Sequence, residues 1–571
     1  MKNMDGGNIM TNFYKEDPNL RRLIKERLPA DFFEWADSEL NQFGALCTGE
    51  IDKRAAHTDR EGQPKLIRYD KMGNEVSQVW LNEGYKKTVE ETYNTGIVGY
   101  VHKDIPALGH KGNYVYSYAQ NYLLSHAEPG FDCPIALTMA TAYLIDHYAS
   151  ESLREKFLPH VLATGDTELY EGATLLTERQ GGSDVGANEV KAVKEEDHYQ
   201  IYGEKYFASN AGACGVAMVL ARLDGAPEGT KGLSLFLVPW EENRAEGLLR
   251  IRRLKDKLGV RAVPSAEIEF TGAKGYLVGE ENQGFYYMIE ALNLSRVSNA
   301  VSSLGIMRRA YLEARNYAMN REAFGNKLTH YPMVQETLSK LAAKQEIELN
   351  AVFEVVALMD RVMGVDTKVK ASDKERILFR LYVAIMKVET AEQAIRFSHE
   401  AIEMHGGNGF IEDFVTPRLL RDAQVLTVWE GTENILALEV LRLIGKYHVE
   451  QIFAEEMKGR LSTVQAEQIG IDPSKITAWV KVIESELSHL IERVEAVRTL
   501  PKDTQTYYGK GISKQITDIF ESIVALETFA KGDKRQQAIS EVFLHDLWKR
   551  NEFQENPVPL EHFDTIVAGK Q

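Results

Sequence analysis

The stretch Leu426-Thr427-Val428-Trp429-Glu430-Gly431-Thr432-Glu433-Asn434-Ile435 sets one carboxylate between a tryptophan and a glycine, with mostly apolar neighbours. Desolvation of a lone Glu raises its pKa toward the range of a useful general base. The same residues also suit a plainer arrangement, a Glu at a helix start with Thr and Asn available for capping. Three further stretches carry residues able to hold a ligand. In Glu178-Arg179-Gln180-Gly181-Gly182-Ser183-Asp184, adjacent glycines let the backbone approach closely, and clustered N–H groups with the Ser183 hydroxyl can hold a phosphate. The stretch is neither GxGxxG nor a Walker A sequence, and a tight turn would use the same residues. Gly406-Gly407-Asn408-Gly409 invites the same two readings. Arg321-Glu322-Ala323-Phe324-Gly325 offers a cation and an aromatic for a phosphate and an adenine face, or else a helix end with Gly325 just beyond it.

Helices, then strands, then helices again must position these stretches. Helical spacing runs through Leu20–Leu28 and resumes after Pro29, and residues 49–78 read as a loop or short hairpin. Helices are expected near 113–126 and 134–149, with another starting from a Ser150 cap. From about residue 170, strand patterns recur at 173–177, 190–193, 199–202, 215–220, 233–238 and 266–270, separated by Gly, Asn, Asp and Pro turns. They predict a small antiparallel domain. Segments near 284–320, 333–363, 373–404 and 430–445 have the length and apolar spacing of bundle helices. Three more helices are expected near 475–499, 512–530 and 536–550.

A chain of 571 residues exceeds one compact core. Its 84 acidic and 67 basic side chains give a formal charge of −17, which disfavours a general affinity for nucleic acid or anionic membrane. Three scattered cysteines, Cys47, Cys133 and Cys214, build neither a disulfide framework nor a CxxC metal site, and no metal is expected. Met1-Lys2-Asn3-Met4-Asp5-Gly6-Gly7 has no apolar h-region and no run of about 18 apolar residues occurs, so a cytoplasmic protein without an integral membrane segment is expected.

Six stretches taken together resemble the acyl-CoA dehydrogenase family of flavoproteins. They are Thr177–Asp184, Gly203-Glu204-Lys205-Tyr206-Phe207-Ala208-Ser209-Asn210, Lys257-Leu258-Gly259-Val260-Arg261, Arg321–Gly325, His405–Gly409 and Trp429-Glu430-Gly431-Thr432, in the family's order. Ala127-Glu128-Pro129-Gly130, Cys133-Pro134 and the two terminal extensions are similar to the AidB-like branch. The resemblance implies an α+β, mainly α fold: an N-terminal helical domain (1–168), a central antiparallel β-domain (169–282), a four-helix bundle (283–446) and an extra C-terminal helical domain (447–571), with FAD between the first three.

The resemblance also implies roles. Leu176 and Thr177, on the strand before the glycines, match positions that bond the flavin ring, and Gly182 and Ser183 match the pyrophosphate turn. Phe207 stands where many members stack a Trp on the flavin, and Ser209 replaces a Thr near N5. Arg321 and Phe324 match contacts to the ADP half of FAD across a subunit interface; Gly406 and Gly407 approach that same half, and Glu403 lies near the adenine end. Thr432 and Asn434 would close on the cofactor. Ser183, Arg296, Trp429 and Gly431 match substrate contacts. Glu430 matches the base that takes the α-proton of an acyl-CoA while the β-hydrogen leaves as hydride, its backbone N–H polarising the thioester carbonyl. The alternative base position holds Ser295, which cannot serve. Glu403 stands where typical dehydrogenases have Gln, and Asn293 replaces an acidic residue common near the CoA pocket.

Implied partners are an acyl-CoA, electron-transfer flavoprotein and a second copy, in a homodimer or homotetramer. The alternative is an AidB-like DNA-associated protective flavoprotein with little dehydrogenase activity. From Lys446 onward, however, 16 Lys and Arg face 20 Asp and Glu, the wrong sign for phosphate contacts. The C-terminal helices are expected to pack against a neighbouring subunit.

Overall fold

The computed structural model describes residues 10–365, 369–466, 473–550 and 552–568; the stretch Met1–Gly7 lies outside them. The chain packs as two compact units, one of Thr11–Glu16 and Leu28–Ser298, the other chiefly of Asp17–Arg27 and Asn299–Gln571.

The first unit opens with helices. α1 (Pro18–Arg27) belongs to the other unit; here follow α2 (Ala30–Leu46), α3 (Asp52–Arg60), α4 (Glu83–Tyr93), α5 (Tyr114–Ser125), α6 (Pro129–Tyr148) and α7 (Glu151–Val161). Asn82, Asn113, Glu128 and Ser150 each accept a backbone N–H at a helix start, including the expected Ser150 cap. Residues 49–78, read as loop or hairpin, are part helix (α3) and part hairpin, β1 (Lys65–Tyr69) with β2 (Glu75–Trp80). A minor pairing joins β3 (Asp104–Ile105) and β4 (His110–Lys111).

Seven strands then form one sheet: β5 (Gly172–Leu175), β6 (Lys191–Lys194), β7 (Tyr199–Ser209), β8 (Val216–Leu223), β9 (Leu233–Pro239), β10 (Leu249–Leu254) and β11 (Ser265–Val278). The antiparallel expectation holds for most pairs, but β8 runs parallel to both β5 and β6, so the sheet is mixed. The roughly 40 residues between β5 and β8 supply the crossover that a parallel pair requires. The strand β10 escaped the sequence reading because Leu249-Arg250-Ile251-Arg252-Arg253-Leu254 is half basic. β9 is buried throughout, as a two-faced core strand should be, and Ile201, Val219, Phe236, Val238, Trp240 and Ile268 form the centre of the core.

The short α8 (Trp240–Ala245) lies in the first unit between β9 and β10, and the second unit is helical: α9 (Gly284–Asn320, shared with the first unit), α10 (Pro332–Val362), α11 (Asp373–His405), α12 (Thr416–Leu426) and α13 (Glu433–Tyr447). α11 starts in a capping box of Ser372 and Glu375 and ends at Gly406, whose φ of 60° a side chain would resist. The extension adds α14 (Val449–Ala466), α15 (Pro473–Arg498), α16 (Lys502–Lys531) and α17 (Lys534–Trp548). These helices pack on the bundle of their own chain. Phe520 stacks on Tyr382 with ring centroids 4.4 Å apart, and Arg535 forks onto Glu346 at 2.8 and 2.6 Å. The buried stripe Ile512, Ile516, Ile519, Ile523 and Leu526 is thereby satisfied within the chain.

Candidate active site

Within the first unit, the glycine turn is held by a buried ion pair. Lys205 on β7 is 1% exposed and meets Glu178 at 2.7 Å. Glu178 also accepts the backbone N–H groups of Glu189 (2.6 Å) and Val190 (3.2 Å) and the Gln180 amide (2.9 Å). Lys205 donates at 3.1 Å to the Leu176 carbonyl, which also takes the Asn188 amide at 2.8 Å, and Tyr206 N–H donates to the Thr177 carbonyl. Burial pushes the Lys205 ammonium down to about 8, with Glu178 acting in the opposite direction. Leu176 and Thr177, expected on the strand, lie just past its end at Leu175, where the Lys205 and Asn188 side chains hold Leu176 and the Tyr206 backbone N–H holds Thr177. Gly182 sits against Thr177, and Gly182 and Ser183 are exposed.

A bulge explains Phe207. Along β7, Tyr206 and Phe207 together oppose the single residue Glu267, between the pairs Lys205↔Ile268 and Ala208↔Ala266. The alternation therefore slips, Lys205 points into the core and Phe207 is 53% exposed. Lys255, itself paired with Glu267 at 2.7 Å, lies over both the Tyr206 and Phe207 rings. Ser209 ends the strand opposite Ser265. Arg296 is half-buried on α9, and Ser295 beside it is buried with its hydroxyl unpartnered.

Within the second unit, the stretch around Arg321 is a hairpin and not a capped helix end. Glu322–Ala323 pairs with Asn326–Lys327, and the two-residue loop Phe324-Gly325 has φ of 51° and 85°, the type I′ signature. Phe324 stands 96% exposed at its tip. Tyr317, one turn before Arg321, accepts the Asn408 amide at 3.1 Å and packs on His405, which gathers the hairpin and the Gly406-Gly407 turn at one end of α11. A Cβ built on Gly406 or Gly407 would meet open space. Glu403 is exposed on the last turn of α11, beside His399.

Glu430 lies in the turn between α12 and α13, half-buried like Trp429, while Val428 is exposed. It has φ of 60°, and Gly431 follows at 102°. Thr432 is the N-cap of α13, yet its side chain makes no cap bond, and Asn434 is exposed in the first turn. The buried Lys387, in mid-α11, donates to the Gly431 carbonyl at 2.7 Å. A non-glycine residue in the left-handed region costs about 1–2 kcal/mol, and a charge-assisted hydrogen bond returns about 1.5–3. That bond is strong enough to hold the turn. Eighteen residues of α11 separate Lys387 from His405, about 27 Å of helix; the Glu430 turn and the Arg321–Gly406 cluster therefore occupy separate places.

Backbone strain tracks the motifs. Of the seven described non-glycine residues with left-handed φ, four, Asn210, Val260, Phe324 and Glu430, fall within the six stretches, while Ser77, Asn282 and His448 lie outside them. Asn tolerates that region, but a β-branched Val there is a true outlier, held by Lys257, which donates to the Val260 and Val263 carbonyls at 2.8 and 2.7 Å. Sequence reasoning missed Lys205 and Lys387 as positioning groups. The available signal for Lys387 was a lone cation inside the apolar run Ile385-Met386-Lys387-Val388.

Comparisons with known proteins bear on this arrangement. Residues 6–165 match the family described as the adaptive response protein AidB N-terminal domain, 173–273 the acyl-CoA dehydrogenase middle domain, and 282–444 the acyl-CoA dehydrogenase C-terminal domain. The chain is 31% identical to acyl-CoA dehydrogenase family member 11 of Caenorhabditis elegans over 496 residues, 85% of this chain and 78% of that protein. It is 30% identical to the AidB protein of Escherichia coli over 393 residues, 67% of this chain and 69% of that one. The solved structure of C. elegans ACDH-11 in complex with C11-CoA superposes with a TM-score of 0.84 at 27% identity, covering 98% of this chain and 94% of that one. Matches that run in family order from residue 6 to residue 444, with relatives alike across most of their own length, mean that this chain belongs to the acyl-CoA dehydrogenase family, on its AidB-like branch.

Proposed function

We propose that this family member dehydrogenates an acyl-CoA thioester between Cα and Cβ, with FAD as cofactor and Glu430 as the base. The observation that supports it best is the Glu430 turn itself: a half-buried carboxylate held in a strained backbone conformation by the hydrogen bond from Lys387 to its neighbour's carbonyl. Strain of this kind persists where the surroundings over-determine it and collects at active sites.

The residues present suit FAD. Phe207 offers an exposed aromatic face, Gly182 and Ser183 an exposed turn of backbone N–H groups, and Gly406 and Gly407 room for close approach. Leu176, Thr177, Phe207 and Ser209 would hold the flavin end, with Thr432 and Asn434 near the base. Arg321, Phe324, Glu403, Gly406 and Gly407, remote along α11 from Glu430, would take the ADP half of the FAD of a second copy. When bound, FAD supplies the acceptor for the β-hydrogen as hydride. Glu430 takes the α-proton onto its carboxylate, and the Glu430 N–H binds the thioester oxygen as charge builds there. Ser183, Arg296, Trp429 and Gly431 would contact the substrate.

The domain plan is taken as 1–168, 169–282, 283–446 and 447–571, the electron acceptor as electron-transfer flavoprotein, and the location as cytoplasmic. Among the described residues no helix is long and apolar enough to cross a membrane.

The test is anaerobic bleaching of the flavin by butyryl-, octanoyl-, undecanoyl- and palmitoyl-CoA, the third chosen because the C. elegans structure holds C11-CoA. Bleaching by one of them, abolished in Glu430→Gln, is expected; none by any chain length refutes the reaction. Salt-sensitive retardation of duplex DNA would instead favour the DNA-associated role.

A further inference from the structure

The Lys387 side chain is an expensive thing to bury. It is 1% exposed on α11 among Val383, Ala384, Met386, Thr390 and Ala391, all buried, where an aliphatic residue would pack without desolvating a charge. Its ammonium reaches the carbonyl of Gly431, the residue after Glu430, at 2.7 Å. Two consecutive left-handed residues set that carbonyl's direction, at φ of 60° and 102°. The adjoining helix start does not fix it, because Thr432 makes no side-chain cap bond.

We propose that Lys387 is the positioning residue of the base: by holding the Gly431 carbonyl it keeps the Glu430–Gly431 turn left-handed and so aims the Glu430 carboxylate. Without it the turn is free to relax toward right-handed backbone, which swings the Glu430 Cα–Cβ bond to a new direction while α11 and α13 stay folded. The inference rests on Glu430 being the base.

The experiment uses full-length, flavin-loaded Lys387→Met, which keeps the length of the side chain and loses the donor. With whichever of the four acyl-CoAs bleaches the parent fastest, bleaching should slow roughly 30- to 100-fold, the size of effect a displacement near 1 Å produces. The half-saturating acyl-CoA concentration should rise far less than bleaching slows, because Ser183 and Arg296 stay in place while only the contacts of the turn itself move. In the flavin-free protein, amide exchange over residues 427–436 should quicken roughly tenfold or more, as expected for local loosening, with α16 unchanged. Parental bleaching and exchange rates in Lys387→Met, beside a dead Glu430→Gln, overturn the inference and leave the base intact. An active Glu430→Gln refutes the base reading instead, and the exchange data then judge Lys387 alone. If Lys387→Met does not fold, Lys387→Gln replaces it; loss of fold or flavin in both makes Lys387 a stability residue only and also overturns the inference.

Discussion

Replacing Lys205 by Met should loosen the β-domain and the turn it supports. The ion pair with Glu178 is buried on both sides, with side chains 1% and 3% exposed, so little solvent replaces the lost partner. Breaking such a pair from one side costs about 3–5 kcal/mol. Glu178 keeps three N–H donors, from Glu189, Val190 and Gln180, so the stranded carboxylate is not bare and the lower end applies. The Leu176 carbonyl loses one donor but retains Asn188. The expected loss is about 3 kcal/mol, or roughly a hundredfold at 1.36 kcal/mol per decade. A chain of two units does not unfold in one step, so the assay is hydrogen exchange of the β7 and β8 amides, followed by mass spectrometry. Protection over 199–209 and 216–223 should fall about a hundredfold. Adding Glu178→Gln should recover more than half of that loss, because the uncompensated charge is gone. Protection within a factor of five of the parent, or a double variant worse than Lys205→Met, would refute the argument.

Two other changes test different parts of the molecule. Glu171 is buried beside Tyr93 and Thr138, and burial pushes its carboxyl up to about 8 from 4.5. The folded chain therefore keeps a proton there that the unfolded chain releases. The stability contributed is present in full below pH 4.5 and is lost as pH rises to about 8. Glu171→Gln should melt close to the parent at pH 4.5 and above it at pH 8.5; a parallel pH dependence in both proteins would count against the assignment. Arg535→Met removes the fork onto the buried Glu346, leaving Arg308 at 3.9 Å. Because Arg535 is itself partly exposed, the cost should be about 2 kcal/mol, below that of a fully buried pair. Limited trypsin digestion should then cut the extension faster than the rest of the chain; unchanged cleavage would mean that apolar packing alone docks it.

Most helices and six of the seven sheet strands were legible because their periodicity is local. What escaped depended on partners distant in sequence. β10 looks too basic to be a strand until β11 supplies Glu267 and Glu269 opposite its arginines. Val449–Ala466 and Thr416–Leu426 were missed beside stronger neighbours. The six motif stretches were readable as types, but not their geometry. Nothing in Arg321–Gly325 distinguishes a hairpin tip from a capped helix end until Asn326–Lys327 pairs back. Likewise the exposure of Phe207 follows from a bulge opposite Glu267, and a bulge is a property of two strands.

The two buried lysines share one logic. Lys205 reaches the Leu176 carbonyl and Lys387 the Gly431 carbonyl, each at a stretch where the backbone has left its regular element. A carbonyl aimed away from a strand or helix has lost its ladder partner, and burying it unpaired is costly. A neutral donor could satisfy it, but an ammonium on a four-carbon stem does so from a neighbouring element and with greater strength. The buried charge thus converts irregular backbone, unstable when left alone, into a fixed shape. That is why the chain tolerates lysines among apolar neighbours at these two places, and why their removal should be felt first as lost geometry in the glycine turn and at Glu430.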